Sequence, residues 1–200
     1  FSLATLPKED FPVMASSEYA ANFSAPAPVL RRLFDKSKFA ISNEETRYYL
    51  NGVYMHVSQG EDGPVLRCVA TDGHRLARID AALPQGAADM PGVIVPKKTV
   101  AELRKLLDDD DMQIAVSVSE TKERFATPRI TLTSKVIDGT FPDYTRVIPS
   151  GNTRKMEVDA KDFARAVDRV ATVSSERSRA VKLALEQTPP ELCADVAERG

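Results

Sequence analysis

The feature that most constrains the fold is a recurrence. Three times the chain reads as a strand, a break and an amphipathic helix, with starts near residues 19, 93 and 156. The first copy has a short strand over 19–23, then Ser-Ala-Pro-Ala-Pro at 24–28. Proline near a helix start is tolerated because the first helical amides have no partner to lose. Val29, Leu30, Leu33 and Phe34 follow at helical spacing, with Arg31, Arg32, Asp35 and Lys36 largely on the other side. Strands are expected over 47–57, 64–71, 75–80 and 93–95, the last opening the second copy. Its helix turns Val100, Leu103, Leu106 and Leu107 inward and Lys98, Glu102 and Lys105 outward. Met112, Ile114, Val116 and Val118 then alternate with Gln113, Ala115, Ser117 and Ser119, the pattern of a half-buried strand. Further strands fit 122–126 and 129–133, and a Pro-Asp turn sits at 142–143.

The third copy has a short strand at Met156-Glu157-Val158, Asp159 as helix N-cap, and Phe163, Ala166, Val167 and Val170 as the inward stripe. A strand over 181–186 follows. Such repetition predicts an α+β architecture of small repeated units. The two ends differ. Residues 3–12 hold two prolines and read as an extended linker, and 188–200, after Pro189-Pro190, show neither alternation nor helical spacing. That tail is expected to be disordered or foreign to the fold.

A second constraint lies at 65–80, where two apolar-rich runs flank Asp72-Gly73, a strong hairpin signal. Glycine supplies positive φ, and the Asp72 side chain can bond its own backbone across the bend. Thr71, His74, Arg75 and Leu76 are thereby presented at the end of a stiff ribbon. They suit a binding edge, and equally a hairpin without a partner.

Charge is segregated although the chain as a whole carries only −2. Residues 26–38 set Arg31, Arg32, Lys36 and Lys38 against Asp35, and 96–107 set Lys97, Lys98, Arg104 and Lys105 against Glu102. Each helical segment nets +3, leaving −8 on the other 175 residues. A basic face on an acidic protein is equipped to meet phosphates, though solvated helices read the same way. The third helix balances Lys161, Arg165 and Arg169 against Asp159, Asp162 and Asp168. At 47–52 the run Arg-Tyr-Tyr-Leu-Asn-Gly places two aromatic rings beside a cation, either as sheet packing or as a stacking site for nucleic acid.

Catalysis and metal binding have little material. His56 and His74 are the two histidines, and neither has a second ligand at metal spacing. Neither a Gly-x-Ser-x-Gly elbow nor a glycine-rich phosphate loop is present. A hydrolase built on Asp72 and His74 is the weakest reading. Cys68 and Cys193 lie far apart, which suits a reducing compartment. No apolar run reaches the roughly 18–20 residues of a membrane-spanning helix.

Four motifs together resemble one family. They are Arg-Tyr-Tyr-Leu-Asn-Gly at 47–52, Ala-Thr-Asp-Gly-His-Arg-Leu-Ala at 70–77, Val-Ile-Val-Pro-Lys-Lys at 93–98, and Thr-Ser-Lys-Val-Ile-Asp-Gly-Thr-Phe-Pro-Asp-Tyr at 133–144. They closely resemble the bacterial sliding clamp, the beta subunit of DNA polymerase III, over about 1–187. The resemblance implies a DNA-clamp fold, with two βαβββ units per domain, helices on the inner face and antiparallel sheets outside. It implies a linker from a missing first domain at 1–17, a complete middle domain at 18–147, the start of a third at 148–187, and an atypical tail at 188–200.

By the same resemblance the function is that of a non-enzymatic processivity factor in the cytoplasm, at the nucleoid. It would encircle duplex DNA without sequence preference as a head-to-tail homodimer, with no cofactor, metal or membrane partner. Arg47, Tyr48, Tyr49, Lys97 and Lys98 match DNA-contacting positions, and the basic helices add Arg31 and Arg32. Glu44 stands where some relatives carry a polar DNA-contacting residue. Leu50, Thr71, Gly73, His74, Arg75 and Leu76 match one wall of a hydrophobic pocket for short Gln- and Leu/Phe-containing peptides of polymerases, clamp loader and repair proteins. Pro142, Arg146 and Val147 match a second wall. The alternative is a standalone nucleic-acid-binding module using the basic helices and a Tyr48–Tyr49 strand.

Overall fold

The computed structural model describes residues 5–7, 10, 18–153, 156–173 and 181–184, together with the backbone of 191–194. The expected linker at 1–17 lies almost wholly outside them. The chain divides into two compact units, Phe1–Asp143 and Tyr144–Gly200. The division falls after the Pro-Asp turn, four residues before the expected boundary at 147.

The first unit is a strand–helix–three-strand pattern written twice. One copy is β1 (Ala21–Pro26), α1 (Ala27–Ser37), β2 (Gly52–Gly60), β3 (Gly63–Thr71) and β4 (Leu76–Ala82). The other is β5 (Val93–Pro96), α2 (Lys97–Leu106), β6 (Gln113–Val118), β7 (Lys122–Ala126) and β8 (Thr131–Lys135). Each helix begins directly after a proline, Pro26 and Pro96, whose fixed φ of about −60° leads the strand into the first turn.

The first strand of each copy joins the other copy's sheet. One antiparallel sheet runs β1-β6-β7-β8 and the other β4-β3-β2-β5. The two copies therefore share one core. Leu30, Leu33 and Phe34 of α1 and Val100 and Leu103 of α2 meet Val53, Met55, Leu66 and Cys68 from one sheet and Ile114, Val116, Val118 and Phe125 from the other. Phe34 packs edge-on against Phe125, with ring centroids 6.5 Å apart. The helical stripes expected from sequence face this core, except that Val29 and Leu106 are half-buried.

Several boundaries differ from expectation. The first strand runs 21–26 rather than 19–23, and β8 starts at Thr131 rather than 129. Thr127 and Ile130 close a bend there, with Thr127 N donating to the Ile130 carbonyl at 2.8 Å. Ser117 and Ser119, expected on the solvent side, are buried.

The second unit has a 3₁₀ turn at Tyr144–Val147, α3 (Ala160–Thr172) and an antiparallel ribbon of β9 (Val181–Ala184) with β10 (Glu191–Ala194). Asp159 caps α3 as expected, its Oδ1 accepting from the Lys161 and Asp162 amides at 2.9 Å. Phe163, Ala166, Val167 and Val170 form a half-buried stripe. Two expectations are corrected. Residues 156–158 form no strand, and the tail contributes one, β10, where an extended backbone finds a partner in β9. Residues 185 and 186 of the expected strand lie outside the described set.

Candidate functional site: a glycine-cornered hairpin and a cationic helix face

The β3–β4 connection is built by side chains bonding their own backbone. Thr71 pairs with Leu76, so the connection is the four-residue loop 72–75 rather than a two-residue Asp-Gly turn, and β4 starts at Leu76, not Arg75. The Thr71 hydroxyl accepts from Gly73 N at 3.1 Å and donates to the Arg75 carbonyl at 2.8 Å. Asp72 Oδ1 accepts from the His74 and Arg75 amides, both at 3.0 Å, and Oδ2 from Arg75 Nε at 3.1 Å. Those amide bonds, Arg75's first, hold the Asp72 carboxyl below its ordinary range. Gly73 sits at φ +88°, a conformation side chains resist. The Asp72 carboxylate thus shapes the loop instead of serving the His74 imidazole, which removes the basis of the hydrolase reading.

His74 and Arg75 are exposed, Leu76 is half-buried, and Leu50 is only 3% exposed. Leu50 is therefore closed to solvent, unlike His74 and Arg75. The Arg75 guanidinium lies 5.8 Å from the centre of the Phe39 ring, which is itself exposed. Pro142 is exposed near the end of the first unit, and Arg146 and Val147 are exposed on the 3₁₀ turn that opens the second.

Arg47, Tyr48 and Tyr49 do not lie on a strand. Residues 48–50 form a 3₁₀ turn, closed by Leu50 N to the Arg47 carbonyl and Asn51 N to the Tyr48 carbonyl, both at 2.9 Å. The strand starts only at Gly52, where a Cβ would stand 2.3 Å from the Val95 carbonyl oxygen. This corrects the expected strand over 47–57 and the Tyr-Tyr strand of the module reading. The two tyrosine rings meet edge to face at 5.9 Å, with Tyr48 53% exposed. Gly139 backs them, where a Cβ would lie 3.0 Å from that of Tyr49.

This turn joins the start of α2. Lys97 N donates to the Asn51 carbonyl at 3.0 Å, and the Lys97 ammonium bonds Asn43 Oδ1. Asn51 Nδ2 in turn donates to the Glu44 carbonyl at 3.0 Å. Arg47 Nε donates to Glu44 Oε2 at 2.8 Å, and that bond lowers the Glu44 carboxyl from its ordinary value. Arg47 Nη2 reaches the Asp72 carbonyl at 3.2 Å. Arg47, Tyr48, Tyr49 and Lys97 are thus brought together, and Arg47 connects them to the hairpin. Sequence reasoning missed Asn43, Asn51 and Gly139 because their roles depend on this long-range meeting.

Much of the helices' positive charge is already paired. Arg31, part-buried, bonds Asp110 through Nη2. Arg104 bonds Asp35 at 2.9 Å and Asp108 at 3.1 Å, so an ion pair ties α2 to α1. Lys38 also bonds Asp35, and Lys105 bonds Glu102. Arg32, Lys36 and Lys98 are exposed and make no ion pair among the described residues.

A βαβββ unit written twice, with the first strands exchanged between two antiparallel sheets, is the architecture of the clamp-type fold. Residues 25–143 match the central domain of the DNA polymerase III beta subunit, and 145–200 match its C-terminal domain. The beta sliding clamp of Caulobacter vibrioides is 52% identical over 186 residues, 93% of this chain and 50% of the relative. Among solved structures, the Caulobacter crescentus pol III beta superposes with a TM-score of 0.91 at 50% identity, covering 100% of this chain and 54% of that one. The Bartonella birtlesii clamp bound to griselimycin gives 0.85 at 52% identity, over 93% of this chain and 50% of that one. The chain belongs to the DNA polymerase III beta-subunit (beta sliding clamp) family, and it spans about half the length of these relatives.

Proposed function

We propose that the protein acts as a DNA sliding clamp, a non-catalytic processivity factor that encircles duplex DNA and tethers replication and repair proteins to it, in the cytoplasm at the nucleoid. The observation that carries this reading is the family match across both units, at up to 52% identity over 93% of the chain. In a closed head-to-tail ring, retention is topological, so phosphate attraction need only be weak and indifferent to sequence. Exposed Arg32, Lys97, Lys98 and Tyr48, with half-buried Tyr49, suit that task better than a dense cationic patch would. Arg31 is paired with Asp110 and Arg47 with Glu44, so each offers a phosphate less net charge than an unpaired cation.

The hairpin residues Thr71, Gly73, His74, Arg75 and Leu76, together with Leu50, serve as contacts for partner peptides, and by the family resemblance Pro142, Arg146 and Val147 serve in the same role. Short peptides bearing Gln and Leu/Phe from polymerase, clamp loader and repair proteins are the ligands. A half-buried leucine beside exposed polar groups provides an apolar seat with orienting donors. The test loads the full-length protein onto nicked circular and linear duplexes and washes with high salt. A clamp stays on circles and leaves linear DNA. Equal retention on both, lost with salt, would select the nucleic-acid-binding module instead.

A further inference from the structure

Arg47 stands where three segments of the first unit meet. One edge of its guanidinium bonds the Glu44 carboxylate, Nε to Oε2 at 2.8 Å, and Nη2 donates to the Asp72 carbonyl at 3.2 Å. Gly73 leaves the room for this, since a Cβ there would lie 2.6 Å from Arg47 Nη1. Glu44 is itself held by its backbone, with its amide donating to Ser42 Oγ at 3.1 Å and its carbonyl accepting from Asn51 Nδ2 at 3.0 Å. The donors of a guanidinium lie in one rigid plane, so a single side chain can grip a carboxylate on one edge and a carbonyl at its tip.

We infer that Arg47 is a positioning residue, a strut that fixes the loop 72–75 for peptide docking, and that Glu44 occupies the guanidinium edge a DNA phosphate would otherwise take. This role rests on the hairpin being a peptide contact, as proposed above. The N–H groups on that edge cannot serve Glu44 and a phosphate together, and the carboxylate cancels the guanidinium's charge, so while the pair is in place Arg47 adds little to counterion release from DNA. A lysine keeps the charge but loses the fork, and cannot reach both partners in one plane.

The experiment uses the full-length protein as wild type, Arg47→Lys, Glu44→Gln and Leu76→Ala. It reads amide hydrogen exchange at 73–75, affinity for a synthetic peptide carrying Gln and a Leu-Phe pair, and the salt dependence of binding to a linear mixed-sequence duplex. Arg47→Lys is expected to speed exchange at the His74 and Arg75 amides about tenfold. It should weaken the peptide about fivefold, through lost preorganisation, with the salt slope unchanged. Glu44→Gln is expected to steepen the salt slope by about one. Unchanged exchange in Arg47→Lys overturns the strut, and so does full peptide affinity in that variant where Leu76→Ala weakens binding. A salt slope indifferent to Glu44→Gln overturns the exclusion of phosphate. Failure of the peptide-contact reading looks different: Leu76→Ala would then leave peptide binding intact while exchange at 73–75 still responded to Arg47→Lys.

Discussion

Glu123 offers the sharpest perturbation of the first unit. It lies on β7 on the same side as Phe125, opposite Val118 of β6 and Ser134 of β8. Its side chain is 0% exposed, and neither carboxyl oxygen has a hydrogen-bond partner among the described residues. Burial pushes this carboxyl up to about 8, from an ordinary value of 4.5. Between those values the folded protein keeps a proton that the unfolded chain has released, so stability falls as pH rises through the window. At about 1.4 kcal/mol per pH unit, going from about pH 5 to about pH 7.5 removes about 3 kcal/mol.

Glu123→Gln abolishes that titration at nearly constant volume. Its amide also lacks partners, a cost of about 1–3 kcal/mol that does not vary with pH. Urea unfolding followed by far-ultraviolet circular dichroism suits a chain with no tryptophan. The difference between variant and wild type should grow in the variant's favour by about 3 kcal/mol over that pH range. Subtraction cancels the other titrating groups, including His56, whose ring burial lowers from its ordinary value and which therefore tilts stability the opposite way. Parallel pH curves for the two proteins would refute the reasoning.

Other perturbations separate packing from charge. Phe34→Ala empties a fully buried site against Phe125 and should cost about 4 kcal/mol in a thermal or chemical melt. Arg67 is 6% exposed and gripped by Asp80 through two 2.7 Å bonds, so Asp80→Ala should cost about 3 kcal/mol by stranding a buried guanidinium. Because Arg67 holds the Asp80 carboxyl below its ordinary 3.8, the wild-type contribution is present above that value and is lost as pH falls through the lowered one. On linear duplex DNA, Arg32→Ala and Lys98→Ala should each flatten the salt slope by about one, whereas Arg31→Ala should change it little because Asp110 already neutralises that guanidinium.

What could be read from the sequence was whatever local periodicity encodes. The stripe of Leu30, Leu33 and Phe34, the alternation at Ile114, Val116 and Val118, and the Asp159 cap each concern neighbours within a turn or a strand. The doubling of β-α-β-β-β followed from them. The exchange of β1 and β5 between sheets did not, since strand pairing across 89 positions, as between Ala25 and Ile114, leaves no local trace. Tyr48 and Tyr49 have high strand propensity, yet the Leu50 and Asn51 amides bond back to the Arg47 and Tyr48 carbonyls, which makes a 3₁₀ turn, and strand pairing starts only at Gly52. Asp72-Gly73 signalled a bend correctly but not its length, because Thr71 and Asp72 satisfy a four-residue loop. The charge count overstated the free cations, since Asp35, Asp108 and Asp110 fold back onto Arg104 and Arg31.

Cleavage of a loaded circle is the most direct test of encirclement. The full-length, fluorescently labelled protein is loaded onto a circular duplex, held in high salt, and the circle is then cut once with a restriction nuclease. Topological retention predicts that label leaves each molecule only after its own cut, by sliding off an end. Label that stays on the cut DNA, or that leaves uncut circles at the same rate, would contradict it.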